Sequence, residues 1–429
     1  MIRQLYGAQK RERKHMKFGI MMHKNTQNIG DDIQAYAAEN LLPEVSYYLD
    51  RENLDSFVTD DGEPAAVIMS AWYMWHKWNW PPSKYIVPLF TGIHYTDNAK
   101  AKQDGSPVTT EFLTGLSRDY LNACGGVGCR DLFTQRTLES LGINCYFSGC
   151  ITLTLPQMPK KKPEREYVVT VEIGDPSTEA VKKQLEGTDI EHIDFKHYKD
   201  YRESAATWEE RKAYVEEVLT LYQNAKCVVT RRLHVALPCL AMGVPVLLLN
   251  NEPCGIRFEP YYSWLHFSRR EPFISGEFKY DVTNPPPNKP DYLPYREALI
   301  KQVKDFAEKY KDVHGTPEEL CPLNYDETEL IKWRHDAMRK AMDNWFEVTR
   351  KDIHKIRDLD KELKKAKEKI AKLEAQLEET RERARSAERE RSEYRREAEH
   401  LGKVVKCKCV RYSIAARNVF FSEEKKIKI

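Results

Sequence analysis

The chain has 429 residues, enough for two packed domains and a further segment at about 150 residues per domain. Lysine plus arginine number 68 against 66 aspartate plus glutamate, so the net charge of +2 argues against a nucleic-acid partner and leaves only local charge to work with. The ten cysteines lack the C-x2-C spacing of a zinc site and are expected to be reduced thiols in a cytoplasmic protein that needs neither metal nor cofactor.

The basic stretch MIRQLYGAQKRERKH has no apolar centre, so no secretory signal is expected. No apolar run approaches the roughly 20 residues of a spanning helix. From Lys17 the runs KFGIMMH, AAVIMSAWY and IVPLFTGIHY predict strands, and DDIQAYAAENLL, TTEFLTGLSRDYLNAC and DLFTQRTLESLG predict helices between and after them. Such alternation implies a largely parallel sheet wrapped by helices, here a Rossmann-like domain over 16–160. The lysine- and proline-rich PQMPKKKPERE resembles a linker. Alternation resumes at YVVTVEI and runs through EEVLTLYQNA, CVVT, RLHVALPCLAMG and VPVLLLN, predicting a second Rossmann-like domain over 161–312. Ligands of open α/β sheets sit at the carboxyl ends of their strands, so two such domains facing each other make a cleft.

A helical connector is expected over 313–350 and a coiled coil over 351–405. From Ile356 the apolar or small positions alternate in steps of three and four, amid dense Glu, Lys and Arg. The chain is therefore expected to form a homo-oligomer through this segment, although a lone solvated helix reads the same way. Truncation after Tyr310 is expected to leave a smaller, active particle. The tail over 406–429 mixes Lys406, Lys408, Arg411 and Arg417 with apolar residues, which suits peripheral contact with the inner membrane face or an unordered terminus equally.

In VVTRRLHVALPCLAMGVPVLLLN the residues Arg231, Arg232 and His234 fall where a strand ends and a helix begins, with Gly243 as the helix stop. That junction attracts anions through its amides and dipole, and arginine adds a planar fork for carboxylate or phosphate. Pro238 should bend the helix. Arg130 follows GGVGC at a second strand end, and Arg257 follows the last strong strand of the second half; both are ligand-binding candidates. In NIGDD, Asn28 and Gly30 make a tight turn, while Asp31 or Asp32 either caps the next helix or serves as hydrogen-bond acceptor or base for a sugar hydroxyl. The aromatic stretch SAWYMWHKWNWPP offers indole faces to a sugar ring, with Trp75 among the candidates, or fills space between domains.

Several of these segments, in order, resemble the polysaccharide pyruvyl transferase family: NIGDDIQAYA, GCRDLFTQRTLESLGI, SGCITLTL and RLHVALPCLAMGVP. The likeness covers about residues 16–310 and leaves the heptad segment uncovered. It implies a fold similar to the two-Rossmann-domain, GT-B-like enzymes. It further implies transfer of pyruvate from phosphoenolpyruvate onto two hydroxyls of a sugar acceptor, lipid-linked or free, as a cyclic ketal. By resemblance the donor site contains Arg130, Arg232, Leu233 and His234, with His234 as general acid or phosphate ligand. The competing expectation keeps the cleft but makes the donor a nucleotide sugar, as in GT-B glycosyltransferases; a chain acting only through its coil is the third.

Overall fold

The computed structural model describes residues 15–72, 76–95, 113–160, 163–199, 206–250 and 257–406. The first apolar run forms β1 (Phe18–Met22), buried along its whole length as a strand inside a parallel sheet must be. Next come α1 (Ile29–Glu39), β2 (Tyr47–Asp50), β3 (Ala65–Met69) and β4 (Ile86–Phe90), and the strands pair in parallel in the order β2-β1-β3-β4. Then follow α2 (Leu116–Ala123), β5 (Val127–Cys129), α3 (Leu132–Ser140) and β6 (Cys145–Phe147). β5 pairs with β6, and a bridge between Ile93 and Cys129 joins β5 to the extension of β4.

The second sheet is also parallel. It takes in β7 (Tyr167–Val171), α4 (Asp175–Leu185), β8 (Glu191–Phe195), α5 (Trp208–Asn224), β9 (Cys227–Thr230), α6 (Leu233–Met242), β10 (Val246–Leu249) and β11 (His266–Ser268). Its order, β8-β7-β9-β10-β11, repeats the plan of the first. In each sheet the order reverses beside the strand that begins it, between β1 and β3 and between β7 and β9. A crevice opens at such a reversal, beyond the strands' carboxyl ends.

The two sheets share one apolar core, in which Ile20 and Ile68 of the first meet Val169, Val228 and Leu248 of the second through α1 and α6. After α7 (Arg270–Ser275) comes α8 (Leu293–Tyr310), whose Arg296 donates to the carbonyls of Leu153, Leu155 and Ala241 and so ties the halves together.

Beyond Tyr310 the chain returns to the first sheet. α9 (Pro317–Leu320) is closed by a capping box between Thr316 and Glu319. Leu323, Tyr325 and Trp333 pack on the cluster around Trp80 and Phe90, and Arg334 donates to the carbonyls of Trp80 and Pro81 at 3.3 and 3.1 Å. The compact body accordingly runs to Phe346, and a cut after Tyr310 would strip part of its packing. α10 (Glu327–Lys406) is one unbroken helix of 80 residues, and the second compact unit begins within it at Glu347. Among the described residues no helix is long and apolar enough to cross a membrane. The tail from 407 to 429 and Trp75 lie outside the described residues.

Candidate active site

α1 follows the carboxyl end of β1 and α6 that of β9, and the two helices touch at their first turns, where Gly30 lies against His234. Arg130 emerges just after β5 and is 3% exposed. Its Nη1 donates to Gln34 Oε1 at 3.3 Å and lies 3.3 Å from His234 Nε2. A guanidinium can only donate, so His234 Nε2 accepts here and the ring is neutral, with its proton on Nδ1. Burial, reinforced by the Arg130 charge, holds His234 well below the ordinary imidazole range. Arg130 Nε is buried without a partner, and among the described residues no carboxylate forms an ion pair with this side chain.

His234 is placed by its own helix. Residue 238 is proline, which has no N–H to give to the carbonyl four residues earlier and whose ring crowds that carbonyl. The residue four back is His234, and its backbone departs from helical geometry at φ −80°, ψ 19°. The bend expected from Pro238 thus falls on the site histidine itself. Gly243 closes the helix in the left-handed region at φ 75°.

Across the interface Gly30 lies flat against the imidazole: a Cβ added there would sit 2.7 Å from His234 Nδ1 and 2.8 Å from its Cβ. Asn28 caps α1 by accepting from Gly30 N at 3.2 Å, so the cap is this residue and neither Asp31 nor Asp32. Asp31 accepts from Thr26 Oγ1 at 2.5 Å and lies 3.6 Å from His23 Nδ1. Burial would raise its carboxyl, but His23, Arg51 and Thr26 outweigh that and hold it below the usual range. Asp32 is 1% exposed and engaged by Arg211 of α5, which also donates to the carbonyls of His23 and Lys24. Burial pushes Asp32 up to about 6 against the pull of Arg211. Its position is that of a tie between α1 and α5.

Arg232 occupies the N-cap position of α6 without a capping side-chain bond and turns onto Glu172, donating from Nε to Oε2 at 2.7 Å; Arg231 approaches the same oxygen at 3.5 Å. Glu172, just after β7, holds a left-handed backbone at φ 54° that a non-glycine residue adopts at a cost of roughly 1–3 kcal/mol. Leu233 is buried in the shared core. Arg257 is exposed, 5.9 Å from the centroid of Phe258, and close enough to His234 and His94 for its charge to lower both. Of the aromatic stretch, Trp80 is fully buried in the first sheet's cluster and the Trp72 ring lies 4.9 Å from the Arg51 guanidinium.

Three further residues belong to this group. Gln34 bridges Arg130 and the carbonyl of Gly30, to which its Nε2 donates at 3.3 Å. His94, 2% exposed, sits 2.6 Å through Nδ1 from Asp131 Oδ2. Asp131 also caps α3, accepting from Thr134 N at 2.8 Å. Burial, with Arg130 close by, depresses His94 to about 4 against the pull of Asp131, so its Nδ1–H donates to the carboxylate and Nε2 is left as an acceptor. His197 is buried against Tyr222 Oη at 3.1 Å and held at about 3 by burial and Arg232. A strand-end search beyond the arginines would have caught His94, but TGIHY reads as the continuation of an apolar strand that in fact stops at Phe90.

The solved structures with similar folds are distant. A putative UDP-N-acetylglucosamine 2-epimerase from Listeria monocytogenes is 12% identical, covering 69% of this chain and 93% of its own, with a TM-score of 0.35. The MnaA–UDP complex of S. aureus is 13% identical over 71% and 94%, with a TM-score of 0.33. A functionally uncharacterized protein from Klebsiella pneumoniae is 12% identical over 59% and 93%, with a TM-score of 0.31. No curated protein matches the chain. The family model for polysaccharide pyruvyl transferases matches residues 28–253, just over half of the sequence and the whole stretch from the Asn28 cap through Arg130 to α6 and β10. On that match the chain belongs to the polysaccharide pyruvyl transferase family.

Proposed function

We propose that this crevice binds phosphoenolpyruvate and transfers its three-carbon unit to two hydroxyls of a sugar, closing a cyclic ketal and releasing phosphate, in the making of a bacterial surface polysaccharide. The observation that carries the reading is Arg130: a buried guanidinium whose Nε is unpartnered and which, among the described residues, has no carboxylate paired to it. A buried charge without a direct ion pair, felt by the carboxylate of Asp131 only at a distance, is costly, and a bound anion offsets that cost. A carboxylate or phosphate accepting from Nε and Nη would do so bidentately. Arg257 supplies a second positive charge nearby, whereas Arg231 and Arg232 are drawn onto Glu172 and join the ligand only by exchanging that partner.

The reaction requires a proton at the methylene carbon, attack of a sugar hydroxyl at C2, departure of phosphate and closure by the second hydroxyl. His234 enters as a neutral ring, suited to accept a hydroxyl proton; a bound phosphate beside it raises its proton affinity and fits it to donate instead. His94, oriented by Asp131, is a second proton carrier at the same crevice.

The test is to incubate the full chain with phosphoenolpyruvate and galactose- or mannose-type acceptors, measuring phosphate release and a mass gain on the sugar. Release of nucleotide from a nucleotide sugar with the mass of a glycosyl group gained by the acceptor, and no phosphate release from phosphoenolpyruvate, would instead establish a glycosyltransferase. Binding separates the role of Arg130: phosphoenolpyruvate should raise the Tm of the wild-type chain and leave that of Arg130→Met unmoved. Without ligand, Arg130→Met should be no less stable, because it removes an unpaired buried charge.

A further inference from the structure

Leaving the crevice, the largest unpartnered apolar feature among the described residues is one face of α10. Ile356, Leu359, Leu363, Ile370, Leu373 and Leu377 are each between 51% and 64% exposed, on a helix with no break from Glu327 to Lys406. With Ala366 between them their spacing is three and four, so they line one stripe, with Ile356, Leu363, Ile370 and Leu377 at the first seam position of the heptad and Leu359, Ala366 and Leu373 at the second. Isoleucine at alternate first positions, with leucine at the second positions Leu359 and Leu373, favours two strands aligned in parallel.

The flanking charges select the same arrangement. In a parallel, in-register pair, the residue just before each first seam position faces the residue five further along the other chain. Here those couples are Lys355 with Asp360, Glu362 with Lys367, Lys369 with Glu374, Arg383 with Glu388 and Glu390 with Arg395. Every charged couple is of opposite sign; the remaining one over this span, Gln376 with Arg381, carries a single charge. Each such pair contributes little to affinity, but together they fix orientation and register, while burial of the leucine and isoleucine stripe supplies the attraction. Arg391 at a seam position disfavours larger bundles, where its guanidinium could not reach water so readily.

We propose that α10 pairs with α10 of a second copy of this chain as a parallel, in-register, two-stranded coiled coil, seated on the stripe from Ile356 to Leu377. The inference does not depend on the reaction proposed for the crevice.

The experiment uses the full chain. Light scattering on the eluted protein should give a dimer, and a monomer at micromolar concentration overturns the proposal. Leu373→Cys should form a covalent dimer under oxidation, above the background of the unsubstituted chain, because an in-register pair sets residue 373 opposite itself. A dimer that does not cross-link there is antiparallel or out of register. Two charge variants complete the test: Lys355→Glu/Lys369→Glu/Arg383→Glu, and Asp360→Lys/Glu374→Lys/Glu388→Lys. Each alone should dissociate at least tenfold more readily than wild type, and an equal mixture should recover pairing as a heterodimer. Undiminished self-association of both variants would overturn the pairing scheme.

Discussion

Gly30 occupies the second position of α1, where alanine would favour the helix by roughly 1 kcal/mol. Glycine is required there because His234 occupies the space a methyl group would need. Gly30→Ala should therefore leave the circular dichroism spectrum unchanged while pushing the imidazole aside, and a shift of about 1 Å in a reacting group costs on the order of 100-fold in kcat/KM. Wild-type rates in that variant would remove His234 from the reaction. The buried histidines also set an acid limit. His94 at about 4, His197 at about 3 and His234 well below 6.5 stay neutral in the fold but gain protons in the unfolded chain as pH falls through 6.5. Stability is therefore lost on going from pH 7 towards 5. Asp32 works in the opposite sense, since its raised carboxyl takes up a proton first in the folded state, below about pH 6, and offsets part of that loss. Tm should fall over this range, and less steeply for His94→Gln. Arg130 and His234 were legible in the sequence because each is a charged or titratable residue at a strand end. Gln34 reads only as a weaker candidate behind Asp31 and Asp32, and His94 not at all, because an uncharged side chain inside a helix and a histidine in an apolar run carry no local mark of the partner they meet.

In α6 the irregularity of the helix serves its first turn. If Pro238 sets the backbone of His234, then Pro238→Ala restores the missing hydrogen bond and a regular helix. The expected result is equal or higher thermal stability with at least a tenfold loss of turnover; unchanged turnover would show that the turn is held by its surroundings instead. The buried strands β1, β3, β7, β9 and β10 were readable as apolar runs because both of their faces are covered. The strands β2, β6, β8 and β11 went unread. They lie at sheet edges, and sequences such as Glu191–Phe195, half exposed and bearing Glu191 and Asp194, have no continuous apolar signature. Charge placement misled in one instance: the acidic pair Asp31 and Asp32 looked like the cap of α1, but Asn28, three residues before Asp31, takes that role, leaving Asp32 to bind Arg211 across the interface.

The proline- and lysine-rich connector suggested two domains joined by a hinge, and the strand plan of each half supports that division by topology. Packing does not respect it. The apolar cluster that covers one face of the first sheet is the same cluster that covers the second, and Arg296 crosses to carbonyls on both sides. Sequence patterns report which face of an element is apolar, not which neighbour covers it, so the sharing of a core was invisible until the elements were assembled. Its consequence is thermodynamic. Neither half can melt while the other stays intact, because losing one strips the oily surface that the other needs. Scanning calorimetry of residues 1–346 should record a single endotherm, and the two halves synthesised as separate polypeptides should each be insoluble, yet recover a soluble particle when produced together.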